Sequence, residues 1–209
     1  YNILVMYLKN QNKLKMILNA LKSNWKFYII YNLIFLIIGI ITGSPIQSLI
    51  TGLLIQIHAY YVHILGHKLP YFKKIHLLHH TKVINKYWYN QIIELLFNFI
   101  FIGGGYLLLF KRYLPQSITY PILAFALIYT FHHLVVYHFI NTNTHIEHHK
   151  YDCDNLDEVC KKRQWVNYGP DMVDAIFNSK NDNEEYENML PLNIVAITTL
   201  VLIIFIYDL

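Results

Sequence analysis

The hydrophobic residues of this chain fall into long runs, and most polar residues collect between them. Five such runs occur, at about residues 25–42, 45–66, 91–110, 118–140 and 190–207. A run of about 20 apolar residues is long enough to cross the hydrocarbon core of a bilayer as an α-helix. The pattern predicts an all-α integral membrane bundle of about four transmembrane helices. An apolar C-terminal helix follows, which either crosses the membrane or lies in its surface.

Residues between the runs indicate how the helices connect. Gly43, Ser44 and Pro45 predict a tight hairpin between the first two spans, and a short turn is expected between the third and fourth spans. We divide the chain into a basic lead-in, residues 1–24, and one membrane domain, residues 25–209. The lead-in is either an amphipathic helix lying on the membrane or a solvated extension.

Composition and charge support a membrane location and suggest an orientation. Hydrophobic residues make up 55% of the 209 residues and charged residues only 14%, which is too apolar for an ordinary soluble domain. Lys and Arg collect before or at the start of the first span, between the second and third, and after the fourth. The positive-inside rule places these segments in the cytoplasm. Anionic lipid explains the net charge of +4, so no nucleic-acid partner is expected.

Three histidine clusters, in the sequences HILGH, HLLHH and HIEHH, stand at the edges of the apolar runs. On a helix, residues three or four apart share a face, so each cluster directs two or three imidazoles one way, as metal ligands require. The predicted topology brings all three clusters to the cytoplasmic face. Eight imidazoles exceed the roughly four to six positions of one transition ion, which favours two ions. The eight candidate ligands are His63, His67, His76, His79, His80, His145, His148 and His149.

Four further histidines lie within apolar sequence, where ionisable side chains usually serve a function. His133 and His138 are candidate additional metal ligands. His132 is expected to face outward or to support a ligand. His58 is either a ligand or a buried polar residue.

The acids and thiols near the clusters offer weaker signals. Glu147 and Asp152 are the nearest carboxylates, and either could accept the second ring N–H of a ligating histidine, although a solvent-facing acid is the simpler interpretation of Glu147. Cys153 and Cys160 lie in a segment predicted to face the cytosol, where free thiols are expected rather than a disulfide. The hydrophilic stretch 150–188 is expected to cover the metal site, or else to be a solvated connector.

The order and spacing of these motifs resemble those of the fatty acid hydroxylase and sterol desaturase superfamily of membrane non-haem di-iron enzymes. The family's HxxxH followed by HxxHH is similar to the first two clusters, and its last HxxHH is similar to the third. His133 and His138 resemble an extra HxxxxH of some members, and NYGPDMVDAIFNSK at 167–180 resembles the stretch after the last motif. Ile64, where members often have Arg, and the long interval 150–166 depart from the family pattern.

This resemblance, which covers about residues 30–200, implies a lipid-oxidising enzyme. It implies two Fe ions held by His133, His138 and the eight motif histidines. The eight motif histidines would also be catalytic. O2 would be the co-substrate for hydroxylation or desaturation of a fatty acyl, sphingolipid or sterol lipid. Zinc could occupy the site but cannot perform the redox step.

The resemblance also implies partners and a location. The sequence contains no cytochrome b5 domain, so electrons are expected from an external donor such as cytochrome b5 or a reductase. In a eukaryotic host the membrane would be that of the endoplasmic reticulum, with the metal site on its cytoplasmic face.

Two other functions fit a histidine-rich membrane protein. One is a metal transporter or metal-binding protein, and the other is an inactive relative kept as a scaffold. A transporter is expected to place its ligands near the middle of the membrane with access from both sides, whereas these clusters collect on one face.

Overall fold

The computed structural model describes residues 2–76, 88–132, 148, 167–180, 186 and 188–208. This part of the chain is helical and contains no strand, as the sequence predicts. Its elements in chain order are α1 (Asn2–Ile41), α2 (Pro45–Lys68), α3 (Pro70–His76), α4 (Trp88–Phe99), a π-helical turn (Ile100–Gly104), α5 (Gly105–Phe110), α6 (Gln116–Phe131), α7 (Asp171–Phe177) and α8 (Leu192–Asp208).

Three stretches are long and apolar enough to span a membrane: Asn12–Ile41, Pro45–Lys68 and Trp88–Phe110. The predictions of the first three spans are therefore confirmed at the level of helix length and composition. Their outer faces are apolar too, since Ile40, Leu54 and Leu108 are 62%, 61% and 76% exposed. Such faces are suited to contact with lipid tails, and they identify an integral membrane protein.

The last two apolar runs form shorter helices in the described residues. Helix α6 has 16 residues and reaches Phe131, close to where the described segment ends, so a full fourth crossing stays a prediction. Helix α8 packs against α1 and α6. Its Ala196 is buried, whereas Ile194 on the opposite face is 72% exposed. Whether α8 crosses the membrane or lies in its surface also stays a prediction.

Helix α1 is bent at Asn24, whose backbone is non-helical. The Asn24 side chain is buried, and its Oδ1 accepts a hydrogen bond of 3.0 Å from the backbone N–H of Met189. This contact ties the bend to the segment that leads into α8. The bend lies one residue before the predicted start of the first span. Placement of the lead-in on the membrane surface stays a prediction.

A close helical hairpin joins α1 to α2. Gly43 adopts a left-handed backbone with φ of 78° at the predicted turn, and Pro45 opens α2. The helices then touch through small residues, because the Ser48 hydroxyl donates to the Phe35 carbonyl at 2.6 Å and Gly52 faces the Phe35 ring. Aromatic and aliphatic side chains of α1, α2, α6 and α8 complete the core.

Gly103, the first of three consecutive glycines in the third span, allows close packing against α6. The helix widens to a π-helical turn over Ile100–Gly104, and a Cβ added to Gly103 would lie 2.8 Å from the side chain of Ile122 on α6. The absence of a side chain at Gly103 therefore permits the close approach of α6.

Gly39 gives a direct test of the α1–α2 hairpin. A Cβ at this position would lie 2.5 Å from the Pro45 Cα and 2.8 Å from the Ser48 Cβ, and neither atom can move without shifting α2. We expect Gly39→Val to destabilise the protein by about 1–3 kcal/mol, the usual cost of overpacking. Thermal unfolding in detergent measures this loss. Ile40→Val, at the neighbouring lipid-facing position, should change the midpoint little, and equal midpoints for both variants would contradict the packing.

Candidate metal centre

The candidate metal centre is built on the ends of α2 and α3. His63 and His67 lie one turn apart near the end of α2, so they share a face. Leu69 is extended and ends α2, after which α3 begins at Pro70 and runs to His76. The His76 ring packs against Gly66, where an added Cβ would lie only 3.1 Å from the ring. Glycine at this position makes room for the third imidazole.

A fourth imidazole, that of His148, arrives from a distant part of the chain. His67 Nε2 lies 3.2 Å from His148 Nε2 and 3.0 Å from His76 Nε2. One ligand atom from each of His63, His67, His76 and His148 lies within 4.8 Å of the others. All four side chains are buried, with exposures of 6%, 4%, 3% and 1% respectively. The four imidazoles therefore converge on one point away from solvent.

The spacing of these nitrogens suits a metal ion. Imidazole nitrogens bound at about 2.0–2.1 Å to one ion lie about 3.0–3.4 Å apart when they occupy adjacent positions. The two measured Nε2 separations, 3.0 and 3.2 Å, fall in this range. A neutral imidazole nitrogen either donates or accepts a hydrogen bond, so protons alone satisfy three converging Nε2 atoms poorly. One cation would satisfy all of them.

The backbone carbonyl of Tyr168 orients His63. It lies 2.5 Å from His63 Nδ1, and because a carbonyl only accepts hydrogen bonds, Nδ1 must carry the proton. His63 Nε2 then keeps its lone pair for a metal. An outer partner of this kind fixes the tautomer and ring orientation of a ligating histidine.

The segment 167–180 that carries Tyr168 is organised around a buried acid. Asp174 of α7 is fully buried and accepts hydrogen bonds from the backbone N–H groups of Tyr168 and Gly169, both at 2.9 Å, and from the Ser179 hydroxyl at 2.6 Å. Burial raises the pKa of the Asp174 carboxyl to about 7, against the three hydrogen bonds, which lower it. The left-handed backbone of Asn178 ends α7 and brings Ser179 back to the acid.

Three further contacts fasten this segment. Asp171, also fully buried, pairs with Lys180 at 2.8 Å. The Tyr60 hydroxyl of α2 lies 2.9 Å from Ser179 Oγ, and its ring stacks on Phe177 with centroids 4.8 Å apart. The segment is thereby held against the same helix that carries His63.

The ring of Tyr168 packs against the histidines. Its centroid lies 5.5–5.8 Å from those of His63, His67 and His148. Burial, with a smaller contribution from Tyr60 and Asp174, raises the pKa of the Tyr168 phenol to about 12. The side chain is therefore a neutral phenol at physiological pH.

A small cavity of about 50 Å³ opens beside His63, between α1, α2, α6 and the segment 167–170. Its walls are mainly aromatic and aliphatic, with Phe27, Tyr31, Phe125 and Ile128 among them. An apolar group placed here would lie next to a candidate metal ligand.

Four of the ten predicted ligands are placed by the structure, and it brings all four together: His63, His67, His76 and His148. The other six lie outside the described residues: His79, His80, His133, His138, His145 and His149. The same holds for Glu147, Asp152, Cys153 and Cys160.

The two histidines with open roles lie outside the four-histidine group. His58 Nε2 donates to the Phe101 carbonyl at 3.1 Å, beside an apolar groove of about 430 Å³ between α2 and α5. It is a polar residue between helices rather than a member of the group. His132 is 8% exposed and lines the cavity beside His63. This burial excludes the outward-facing alternative, and the alternative that His132 supports a ligand stays a prediction.

Residues 168, 174 and 179 were not identified individually from the sequence. The carbonyl of Tyr168 is a backbone group, which no side-chain motif records. Asp174 is separated from every histidine motif. From the sequence alone, an acid that is buried by tertiary packing cannot be distinguished from an acid on the surface. The resemblance of the whole 167–180 stretch was the one available signal.

Comparison of the chain with protein-family models, with curated proteins and with solved structures found no match. The class that the fold and site define is therefore a helical membrane protein with a buried four-histidine group able to hold a metal ion.

Proposed function

We propose that this protein is a membrane-bound di-iron oxidoreductase that uses O2 to hydroxylate or desaturate a lipid. The observation that carries the proposal is the convergence of His63, His67, His76 and His148 in a buried group at the end of membrane helix α2. Imidazole ligands suit iron, and the ordered histidine motifs resemble those of the fatty acid hydroxylase and sterol desaturase superfamily.

The described histidines account for one ion. We propose that His79, His80, His133, His138, His145 and His149 complete a site for two Fe ions. Zinc can bind the same nitrogens, but it has no accessible redox chemistry.

Bound iron would supply the redox chemistry that activates O2 and removes hydrogen from an unactivated C–H bond. Hydroxylation would consume the C–H bond, one O2, two electrons and two protons, and would yield an alcohol and one water. Desaturation would use the same inputs, remove two hydrogens from adjacent carbons, and yield a double bond and two waters. An external one-electron donor protein, such as cytochrome b5 or a reductase, would deliver the electrons.

The residues of the chain would position the reactants. The hydrogen bond from Nδ1 to the Tyr168 carbonyl orients His63 and would leave its Nε2 to bind the metal. The apolar cavity beside His63 suits a hydrocarbon group and disfavours water. A substrate dissolved in the bilayer would reach it without crossing the aqueous phase. The distribution of Lys and Arg supports a site on the cytoplasmic face. The family resemblance implies the membrane of the endoplasmic reticulum in a eukaryotic host.

A histidine-rich metal transporter remains the alternative, because four buried imidazoles also suit a transport site. The position of the group favours the enzyme. His63 and His67 lie in the last six residues of α2, which has 24 residues, so they are near one end of the span. Transport sites are expected near the middle of the bilayer.

Lipid analysis tests the proposed function. Cells that express the protein should accumulate a lipid that has gained one oxygen atom or lost two hydrogen atoms, and only when O2 is supplied. Mass spectrometry of lipid extracts, with 18O2 or under argon, detects either product. Vesicles containing the purified protein provide the comparison. Metal flux across them, without any O2-dependent lipid product, would favour the transporter.

A further inference from the structure

We propose that Asp174 is a positioning residue that holds His63 in its metal-binding orientation through a single peptide group. The inference deepens the proposed function and rests on the four-histidine group binding a metal. Asp174 does not touch that group, so its effect must pass through the backbone of the segment 167–180.

One peptide unit joins the acid to the histidine. The Tyr168 carbonyl accepts the hydrogen bond from His63 Nδ1, and the Gly169 N–H donates to Asp174 Oδ2 at 2.9 Å. This carbonyl and this N–H belong to the same peptide bond, which is planar and trans, so they point in opposite directions. Fixing the N–H on Asp174 therefore fixes the direction of the carbonyl towards His63.

Three further hydrogen bonds hold the turn on either side of this peptide group. The Tyr168 N–H donates to Asp174 Oδ1 at 2.9 Å, and the Ser179 hydroxyl holds the same oxygen at 2.6 Å. The adjoining Asn167 N–H donates to the Ser179 carbonyl at 2.9 Å. The turn that presents the carbonyl is thus held on both sides of Tyr168.

The same connection affects the basicity of His63. Hydrogen bonds in a chain polarise one another inside a protein. A carboxylate that accepts the Gly169 N–H makes the Tyr168 carbonyl a stronger acceptor, and that carbonyl in turn makes His63 Nε2 a better donor to a metal. Ligating histidines commonly bond a carboxylate directly. Here the carboxylate would act across one peptide.

Asp171 provides a matched control for Asp174. Both acids belong to α7 and both are fully buried. Asp171 pairs with Lys180, whereas Asp174 binds the turn at residues 168–169. A general loss of packing should therefore follow from either substitution, but a change at His63 should follow only from substitution of Asp174.

Cobalt binding tests the proposal. The full-length protein in detergent is titrated with Co²⁺ alone in competition with a chromophoric chelator, and the visible spectrum of bound cobalt is recorded. We expect Asp174→Asn, which replaces one of the two acceptor oxygens with an N–H donor, to weaken Co²⁺ binding about 10–100-fold and to change that spectrum. Asp171→Asn should bind Co²⁺ within about threefold of the wild type, because outer-partner losses of that size apply only to groups linked to a ligand.

A second pair of variants covers the case in which Asp174→Asn does not fold. Ser179→Ala removes one donor from Asp174, and Tyr60→Phe removes only the Tyr60 contact of Ser179. We expect Ser179→Ala to weaken Co²⁺ binding and Tyr60→Phe to leave it unchanged. The helical circular dichroism signal and the elution volume report folding for all four variants.

The outcomes separate the two proposals. If the wild type binds no Co²⁺, the metal site itself fails, and the role of Asp174 fails with it. If the wild type binds Co²⁺ and folded Asp174→Asn binds it equally well, the metal site stands and the positioning role is overturned. The positioning role is also overturned if Asp171→Asn weakens Co²⁺ binding as much as Asp174→Asn does. It is likewise overturned if Tyr60→Phe weakens Co²⁺ binding as much as Ser179→Ala does. In either case the effect would be one of general stability.

Discussion

His67→Ala should abolish metal binding at the four-histidine group. The Nε2 atom of His67 lies within 3.2 Å of the Nε2 atoms of both His76 and His148, so this residue is central to the group. Loss of its imidazole removes one ligand and leaves a gap between two others. Elemental analysis of protein purified from iron-replete cells measures the metal content. We expect the bound metal to fall below about one tenth of the wild-type value, since loss of a mere outer partner already costs 10–100-fold.

His58→Ala is the matched control for this loss. His58 lies on the same helix but bonds the Phe101 carbonyl, away from the four histidines. Its substitution should leave the metal content unchanged, although it removes a contact between helices. Retention of metal by folded His67→Ala would contradict the site, as would an equal loss from His58→Ala.

The second large effect concerns the lipid product. His148 is 1% exposed and is the member of the described four-histidine group that comes from outside α2 and α3. We expect His148→Ala to lower formation of the O2-dependent lipid product at least about 100-fold, because a direct ligand matters more than the outer partners whose loss costs 10–100-fold. The measurement is the amount of product per amount of folded protein in the membrane.

His58→Ala again gives the comparison, and its product should stay within about threefold of the wild type. Product formation by His148→Ala at the wild-type rate would show that the reaction does not depend on this group. The proposed catalytic role of the histidines would then be wrong, even if they bind a metal.

The helices were predictable because the bilayer demands long apolar runs. The runs at 25–42, 45–66 and 91–110 lie within the three stretches that are long and apolar enough to span, apart from Thr42 at the end of the first. Hydropathy does not record where a helix bends. The bend at Asn24 depends on a bond to Met189, which is 165 residues away. Hydropathy also does not record that Gly103, within the π-helical turn, lies against Ile122 of α6.

The histidine group was predictable in part, because helical spacing and membrane topology limit where the side chains can lie. The spacing of His63 and His67 places them on one face of any helix, and the predicted membrane topology would bring the clusters to one side. Spacing does not show which imidazoles meet, and it does not separate His58 from the group. That distinction follows from the Phe101 carbonyl, which engages His58 on a different face.

The backbone carbonyl that orients His63 could not be predicted from the sequence. Glu147 and Asp152 are the acids nearest to the motifs, yet the group that orients His63 is a backbone carbonyl 105 residues away. The acid behind that carbonyl, Asp174, is recognisable only once the segment 167–180 has folded against α2.

The iron content of the wild-type protein tests the central claim most directly. Protein expressed under iron-replete conditions and purified without chelators should contain about two Fe ions per chain by elemental analysis, since the ten candidate histidines exceed the roughly four to six ligand positions of one transition ion. Protein that is folded and contains no metal under these conditions would contradict the proposed di-iron centre.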